Sequence, residues 1–400
     1  MPDNYSRNLM YSVVINNSLI DGRCITELLD KKVCGSYKDV FELIRDRDIP
    51  EDISERNAVK IREAKDHIAD LIEAYHKYES IIRKNNIKVI SDDSDNYPDI
   101  WKGLSGMPKV IYLRGREDAL KKIDECGAVS VVGSREPGRY SEYATREFVT
   151  KLAAKGLVTV SGMALGIDRA AHMAAMDAGG VTVAVMPGGC EQIYPSQNRD
   201  VYERIIKGGS AVISEMPPDS GVKKQYFPSR NRLISALSDC CLIMEAGEYS
   251  GTLHTASFAA VQGRDVYVLP NNIYADNCIG GLKLIKDGAY ILLSDKDVID
   301  SVAEKLLVRK VDAVLSRGTG HEGIDTALIR KELDRDPASV SDKDVGFIIR
   351  DELSIKNMSA DEICSRLKMP FYRVSQILSE LELDGLVQME RGKYSLTMSL

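Results

Sequence analysis

Residues 128–134 read AVSVVGS and residues 157–162 read LVTVSG: two short β-branched runs, each closing on a Ser/Gly turn, with a helix-length segment between them. Strand, turn, helix, strand is the repeating unit of a parallel sheet wound with helices. The pattern recurs in VTVAVMPG (181–188), SAVISE (210–215), CCLIMEA (240–246) and DVYVLPN (265–271). Strands covered on both faces read as nearly continuous apolar runs, as these do, so residues 116–306 are expected to form a doubly wound, mostly parallel, Rossmann-like α/β sheet. Ligands of such sheets bind outside the carboxyl ends of the strands. The unusual motifs of the chain fall at those ends.

Working outward, MPKVIYLRG (107–115) reads as a short strand and turn leading into the sheet. Residues 1–115 are otherwise expected to be a small helical domain of helix-hairpin or SAM-like type. From Ser54 onward Ile61, Ala64, Ile68, Leu71, Ile72 and Tyr75 recur at helical spacing among charges, which predicts one long amphipathic helix. Beyond the sheet, SRGTGHEG and DRDPASVSDKD make residues 307–350 a polar, turn-rich linker with one helix. In residues 351–400, Ser359 and Glu362 form a capping box, Pro370 opens a second helix, and Asp384-Gly385 precedes two strands turning at Arg391-Gly392. Helix, turn, helix and hairpin make a winged helix, a form that often reads duplex DNA. Residues 355–400 carry six basic side chains against six acidic ones. That balance favours protein contact or weak DNA contact there.

Composition is that of a soluble globular chain, 44% hydrophobic and 28% charged, and no stretch is apolar for long enough to span a membrane. The start, MPDNYSRNLMYSVVINN, lacks a signal-peptide core, so a cytoplasmic protein is expected. The eight cysteines show no C-x-x-C pair or zinc-ligand spacing and are expected to be buried, reduced thiols. No metal or cofactor is expected. A net charge of -7 leaves no overall field to attract a polyanion, so any such site must be a local patch.

One such patch lies in YFPSRNRLISALSD (226–239). Ser229 reads as an N-cap with Arg230, Asn231 and Arg232 in the first turn, where the helix dipole disfavours cations and favours anions. An anion held jointly by the arginines and the helix would account for that placement. At the end of the first central strand, Gly133 and Ser134 allow a tight turn that exposes N–H groups, and Arg135 reaches over the sheet. The next strand ends at Ser161-Gly162 and leads to Asp168 and His172, which read as a helix-start residue and a packing residue. After CCLIMEA, Ser250, Gly251 and Thr252 offer further donors at a helix start. No P-loop, no dinucleotide-type Gly-x-Gly-x-x-Gly after the first strand and no nucleophile elbow is present.

The succession VGSR, SGMALGID, PGGCEQIYP, SEMPP, FPSRNRLISALSD and SGTLHTA, in that order and spacing, resembles the DNA-processing protein A family, also called DprA or Smf. The resemblance is strong over residues 128–290 and loose outside them. It implies sequence-independent binding of single-stranded DNA, loading of the RecA recombinase onto that DNA in natural transformation and recombination, and a homodimer. Carried over by position, it implies that Gly133, Ser134, Arg135, Phe227, Arg230, Asn231 and Arg232 line the DNA site, with Phe227 stacking on a base or stapling its helix. Two positions depart from the family's habit: Pro270-Asn271 stands where Pro-Gly is usual, and Leu282 where an asparagine is.

Nucleotide phosphoribohydrolases resemble the same sheet and need a positioned glutamate after a Pro-Gly-Gly-x-Gly-Thr motif. Here the corresponding positions are Pro195 after PGGCEQIYP and Thr255 after Gly251-Thr252, so a binding protein without catalysis is the expectation. The other alternative, a winged-helix regulator with a ligand-sensing sheet, conflicts with the balanced charge of the tail.

Overall fold

The computed structural model describes residues 4–17, 20, 22–35, 39–46, 48–49, 53–319, 345, 348–349, 352–353, 358–367, 369–383, 387–390 and 393–396. The chain divides into two compact units, Met1–Arg309 and Lys310–Leu400.

The first unit is built on a nine-stranded sheet. Its strands are β1 (Ile87–Ser91), β2 (Val110–Gly115), β3 (Ala128–Gly133), β4 (Val158–Ser161), β5 (Thr182–Val185), β6 (Ala211–Ser214), β7 (Cys240–Glu245), β8 (Asp265–Val268) and β9 (Tyr290–Ile291). They lie in the order β1-β2-β6-β5-β4-β3-β7-β8-β9. From β3 to β9 all pairings are parallel, while β1 with β2 and β2 with β6 are antiparallel. All six runs read as central strands form. Alternation accounts for their continuous apolarity: Val129, Val131, Leu242 and Met244 enter the core on one face, and Val132, Val160, Cys241 and Ile243 enter the core on the other.

The sheet begins ahead of residue 116, because β1 and β2 belong to it. The N-terminal helices share its core as well. Leu9, Val13, Ile25 and Leu28 pack in one cluster with Val89, Tyr112, Ala184 and Val212, and Asn8 Nδ2 donates to the Val89 carbonyl at 2.8 Å. The long helix expected from Ser54 is two, Glu55–Asp66 and Ile68–Asn85. The break falls at His67, whose backbone leaves the helical region (φ -101°, ψ 19°), and Ile72 is exposed beyond it. The thiols are free; Cys126 is exposed and Cys364 half-buried, whereas the remainder are buried as expected.

The second unit contains the helices Ala360–Leu367 and Phe371–Leu383 and an antiparallel hairpin of β10 (Val387–Glu390) and β11 (Lys393–Leu396). The capping box forms as expected: Ser359 N donates to Glu362 Oε2 at 2.7 Å and Glu362 N to Ser359 Oγ at 3.2 Å. Ile363, Leu367, Val374, Ile377 and Leu378 make a core of this unit's own, and the unit is a winged helix. Most of the expected linker, residues 320–344, and the Asp384-Gly385 and Arg391-Gly392 turns lie outside the described residues. The linker's first part continues the Asp295–Thr319 helix.

Candidate nucleic-acid interface

The order in which strands are added reverses beside β3: β4, β5 and β6 follow on one side and β7, β8 and β9 on the other. This is the topological switch point of an open α/β sheet, where the connections leave in opposite directions and open a crevice. A crevice of about 410 Å³ lies there, lined by Gly133, Ser134, Arg135, Phe227, Arg230, Asn231, Ser250, Gly251 and Thr252, together with Asp168 and Thr255. A second hollow of about 340 Å³ adjoins it on the side of Gly162 and Tyr194 and shares Arg135, Phe227 and Arg230 with the first.

The wall bearing Arg135 is braced by the following turn. Gly166 has φ +71°, and a Cβ there would lie 2.4 Å from the Ser134 carbonyl, so the two loops approach as only glycine permits. Ile167 N donates to that carbonyl at 3.1 Å, and Ser134 Oγ accepts from Glu136 N at 3.1 Å. Arg135 is left exposed, with no carboxylate partner among the described residues. Its guanidinium carbon lies 5.7 Å from the centroid of the half-buried Phe227 ring.

The helix of the opposite wall differs from expectation. It starts at Tyr226, so Ser229 is not the N-cap; its hydroxyl donates back to the Tyr226 carbonyl at 3.0 Å. Pro228 falls in the first turn, where a missing N–H costs nothing, and this lets the helix begin earlier than the Ser229 signal indicates. The arginines therefore sit beyond the first turn. Successive residues turn by about 100°, so positions two apart face opposite ways. Arg230 is buried, donating from Nη1 to the carbonyls of Gly162 and, at 2.7 Å, Val185, and from Nε to Asn231 Oδ1 at 3.1 Å. Arg232 instead pairs with Glu215 and lies away from the crevice lining.

Charge beneath the crevice is balanced internally. Asp168, in the first turn of the Ile167–Asp177 helix, accepts from Gly162 N and Ala164 N, each at 3.1 Å, and stands beside Arg230. Burial pulls Arg230 down to about 10, against the pull of Asp168, and leaves it protonated at neutral pH. Burial likewise raises Asp168, with Arg230 opposing. His172 is fully buried and lowered to about 3 by burial and by the Arg230 charge. Thr182 Oγ1 donates to the Thr159 carbonyl at 2.8 Å, so His172 Nδ1, 2.7 Å from the same oxygen, carries the proton. These are the helix-start and packing roles read from the sequence.

Three participants were not singled out in the sequence. Tyr194 meets Phe227 edge-on, with centroids 5.8 Å apart. Glu245, buried at the end of β7, accepts from Gly138 N at 3.0 Å and Asn277 Nδ2 at 2.8 Å, tying three loops together. Asn198 Nδ2 holds the carbonyls of Met163 (2.7 Å) and Ala164 (3.0 Å). A carboxylate closing an otherwise apolar strand, as in CCLIMEA, is the one signal that marks Glu245. Of the unusual positions, Asn271 joins its loop to the Arg139–Ala154 helix by donating to Ser141 Oγ at 2.9 Å, and Leu282 is half-buried in the Ile279–Lys286 helix.

Residues 88–303 match the family DNA recombination-mediator protein A, and residues 334–393 match the DprA winged helix domain. The chain belongs to the DNA recombination-mediator protein A family. As a member of it, the chain is 32% identical over 250 residues to DNA processing protein DprA of Bacillus subtilis, across 62% of this chain and 83% of the relative. It is 36% identical over 220 residues to Protein Smf of Synechocystis sp., across 55% of each, so it spans little more than half of that relative. The X-ray structure of DNA processing protein A from Streptococcus pneumoniae superposes with a TM-score of 0.56 at 27% identity, covering 75% of this chain and 98% of that one. Among the described residues of this family member, no cluster of His, Cys, Asp or Glu is placed to hold a metal ion, and no helix is long and apolar enough to cross a membrane.

Proposed function

We propose that the chain binds single-stranded DNA without sequence preference at the carboxyl edge of β3 and β7 and delivers it to the RecA recombinase, acting as a homodimer and without catalysis. The observation that carries this reading is the state of Arg135: exposed, without a carboxylate partner among the described residues, and set against Phe227 above a floor whose own arginine is already compensated. A phosphodiester supplies the missing negative charge, and the phenyl face offers any base a stacking surface. Membership of a recombination-mediator family supports the delivery step. The absence of a free acid at Pro195 and Thr255, and the engagement of Asp168 by two amides, favour binding over glycosidic cleavage.

Fluorescence anisotropy with labelled poly-dT tests the binding. Affinity is expected to fall as salt rises, and duplex or mononucleotide is expected to compete poorly. Equal competition by duplex overturns the single-strand reading, and base release from a nucleoside monophosphate overturns the non-catalytic one. For delivery, adding the chain is expected to shorten the lag of RecA filament growth; an unchanged lag removes that half. Light scattering checks for the dimer.

A further inference from the structure

Past the crevice, along the same sheet edge, stand two tyrosines that take almost no part in packing. Tyr249 is 95% exposed and Tyr274 is 89% exposed. They occupy the loops after β7 and β8, and the backbone beneath them is firmly held. Gly281 N donates to the Ala246 carbonyl at 3.0 Å, and a Cβ on Gly280 would lie 2.2 Å from the Gly247 carbonyl. Glu245 fastens the second loop through Asn277, and Asn271 fastens its other end to Ser141. Tyr249 directly precedes Ser250, which lines the crevice. An aromatic ring left in water on braced backbone does nothing for the fold, and such rings are the usual contact elements of a binding surface.

Charge adds little to this stretch. The cation beside Tyr249, Lys283, is paired with Glu248 at 2.5 Å, so attraction here must come from ring faces. We infer that Tyr249 and Tyr274 are base-stacking platforms for the length of single-stranded DNA that leaves the Arg135–Phe227 crevice and crosses β7 and β8, an inference that rests on the DNA-binding reading above. Continuity with the crevice through Ser250 identifies the occupant, because a strand anchored by its phosphate at Arg135 presents its next bases to this edge.

The test uses the full chain with a short oligo-dT that fills the crevice and a long one that extends past it. Tyr249→Ala and Tyr274→Ala are each expected to weaken the long oligonucleotide by at least about fivefold, the low end of one base–aromatic stack, and to leave the short one unchanged. The dependence of log Kd on log salt is expected to keep its slope, since no phosphate contact is lost. Tyr249→Phe is expected to bind as wild type. Because both rings are solvated, circular dichroism and Tm are expected to be unaltered. Wild-type affinity in both alanine variants overturns the inference, as does a loss accompanied by a flatter salt slope or by altered self-association in place of altered DNA binding. If Arg135→Ala weakens binding while the tyrosine variants do not, the stacking inference alone fails. If the wild-type chain ignores poly-dT, the DNA-binding reading fails and takes the inference with it.

Discussion

Arg135 and Arg230 hold their guanidinium carbons at the same 5.7 Å from the centroid of one ring, Phe227, the first in solvent and the second buried. Equal geometry at the ring conceals unequal roles. Arg230 is committed to two backbone carbonyls and to Asp168, whereas Arg135 is available to a ligand.

Substitution is therefore expected to separate the two. Arg135→Ala should leave urea unfolding unchanged and cost about 1.5–3 kcal/mol of poly-dT affinity, the usual worth of a charge-assisted hydrogen bond. It should also flatten the salt slope by about 0.7, one single-strand phosphate contact. Arg230→Ala strands Asp168 and two carbonyls in a buried site and should cost about 3–5 kcal/mol of stability. An Arg230→Ala protein as stable as wild type would show that the buried network is dispensable.

Gly166→Ala is expected to act on binding through the backbone. The substitution places a Cβ against the Ser134 carbonyl at a positive φ, so the loop carrying Arg135 must move. Affinity for poly-dT is expected to fall by roughly tenfold or more, the order of effect that a 1 Å displacement of a positioned group produces. A crystal structure of the variant would show whether the Ser134–Ile167 hydrogen bond survives.

Acid stability is expected to follow His172. Its folded pKa of about 3 lies below the unfolded value near 6.5, so between those limits the unfolded chain binds more protons and stability falls as pH falls. The slope from this residue is at most about 1.4 kcal/mol per pH unit. Asp168 acts in the opposite sense: its folded value is raised, so its contribution is lost as pH rises through that value. His172→Gln should flatten the denaturation midpoint between pH 6.5 and 4 if it folds; an identical pH profile would assign the acid sensitivity elsewhere.

The sheet was legible in the sequence because strands buried on both faces must be written as unbroken apolar runs, and all six such runs became strands. The crevice was legible for the same reason, since a turn such as Gly133-Ser134 at a strand end has one place to go. What the linear pattern conceals is partnership at long range. Nothing in YFPSRNR distinguishes Arg230 from Arg232; their opposite directions follow from helix phase, and their fates from Asp168 and Glu215. The helix start was misplaced because Ser229 is a strong capping residue, yet Pro228 within the first turn also suits the observed geometry. The separate N-terminal domain was misjudged because its amphipathic helices read the same whether their apolar faces meet each other or the β1–β2–β6 end of a sheet.

Division of labour between the two units is open to a direct test. The first unit carries its own cores and the crevice, and the second has a separate core built on Ile363, Val374 and Leu378. Within the winged helix, Arg366 pairs with the buried Glu352 and Lys393 lies 3.8 Å from Glu362, so these cations are already engaged. Exposed ion pairs are weak, but a phosphate that takes one partner must still displace the other, which lowers the gain per contact. Deleting residues 355–400 is therefore expected to leave poly-dT affinity within a few-fold, because phosphate contacts dominate such binding and Arg135, exposed and without a carboxylate partner among the described residues, lies in the other unit. Anisotropy titrations of the truncated and full-length chains, with matched far-UV spectra, make the comparison. If truncation abolishes binding while Arg135→Ala leaves it intact, the DNA site belongs to the winged helix, and the crevice at β3 and β7 serves another ligand.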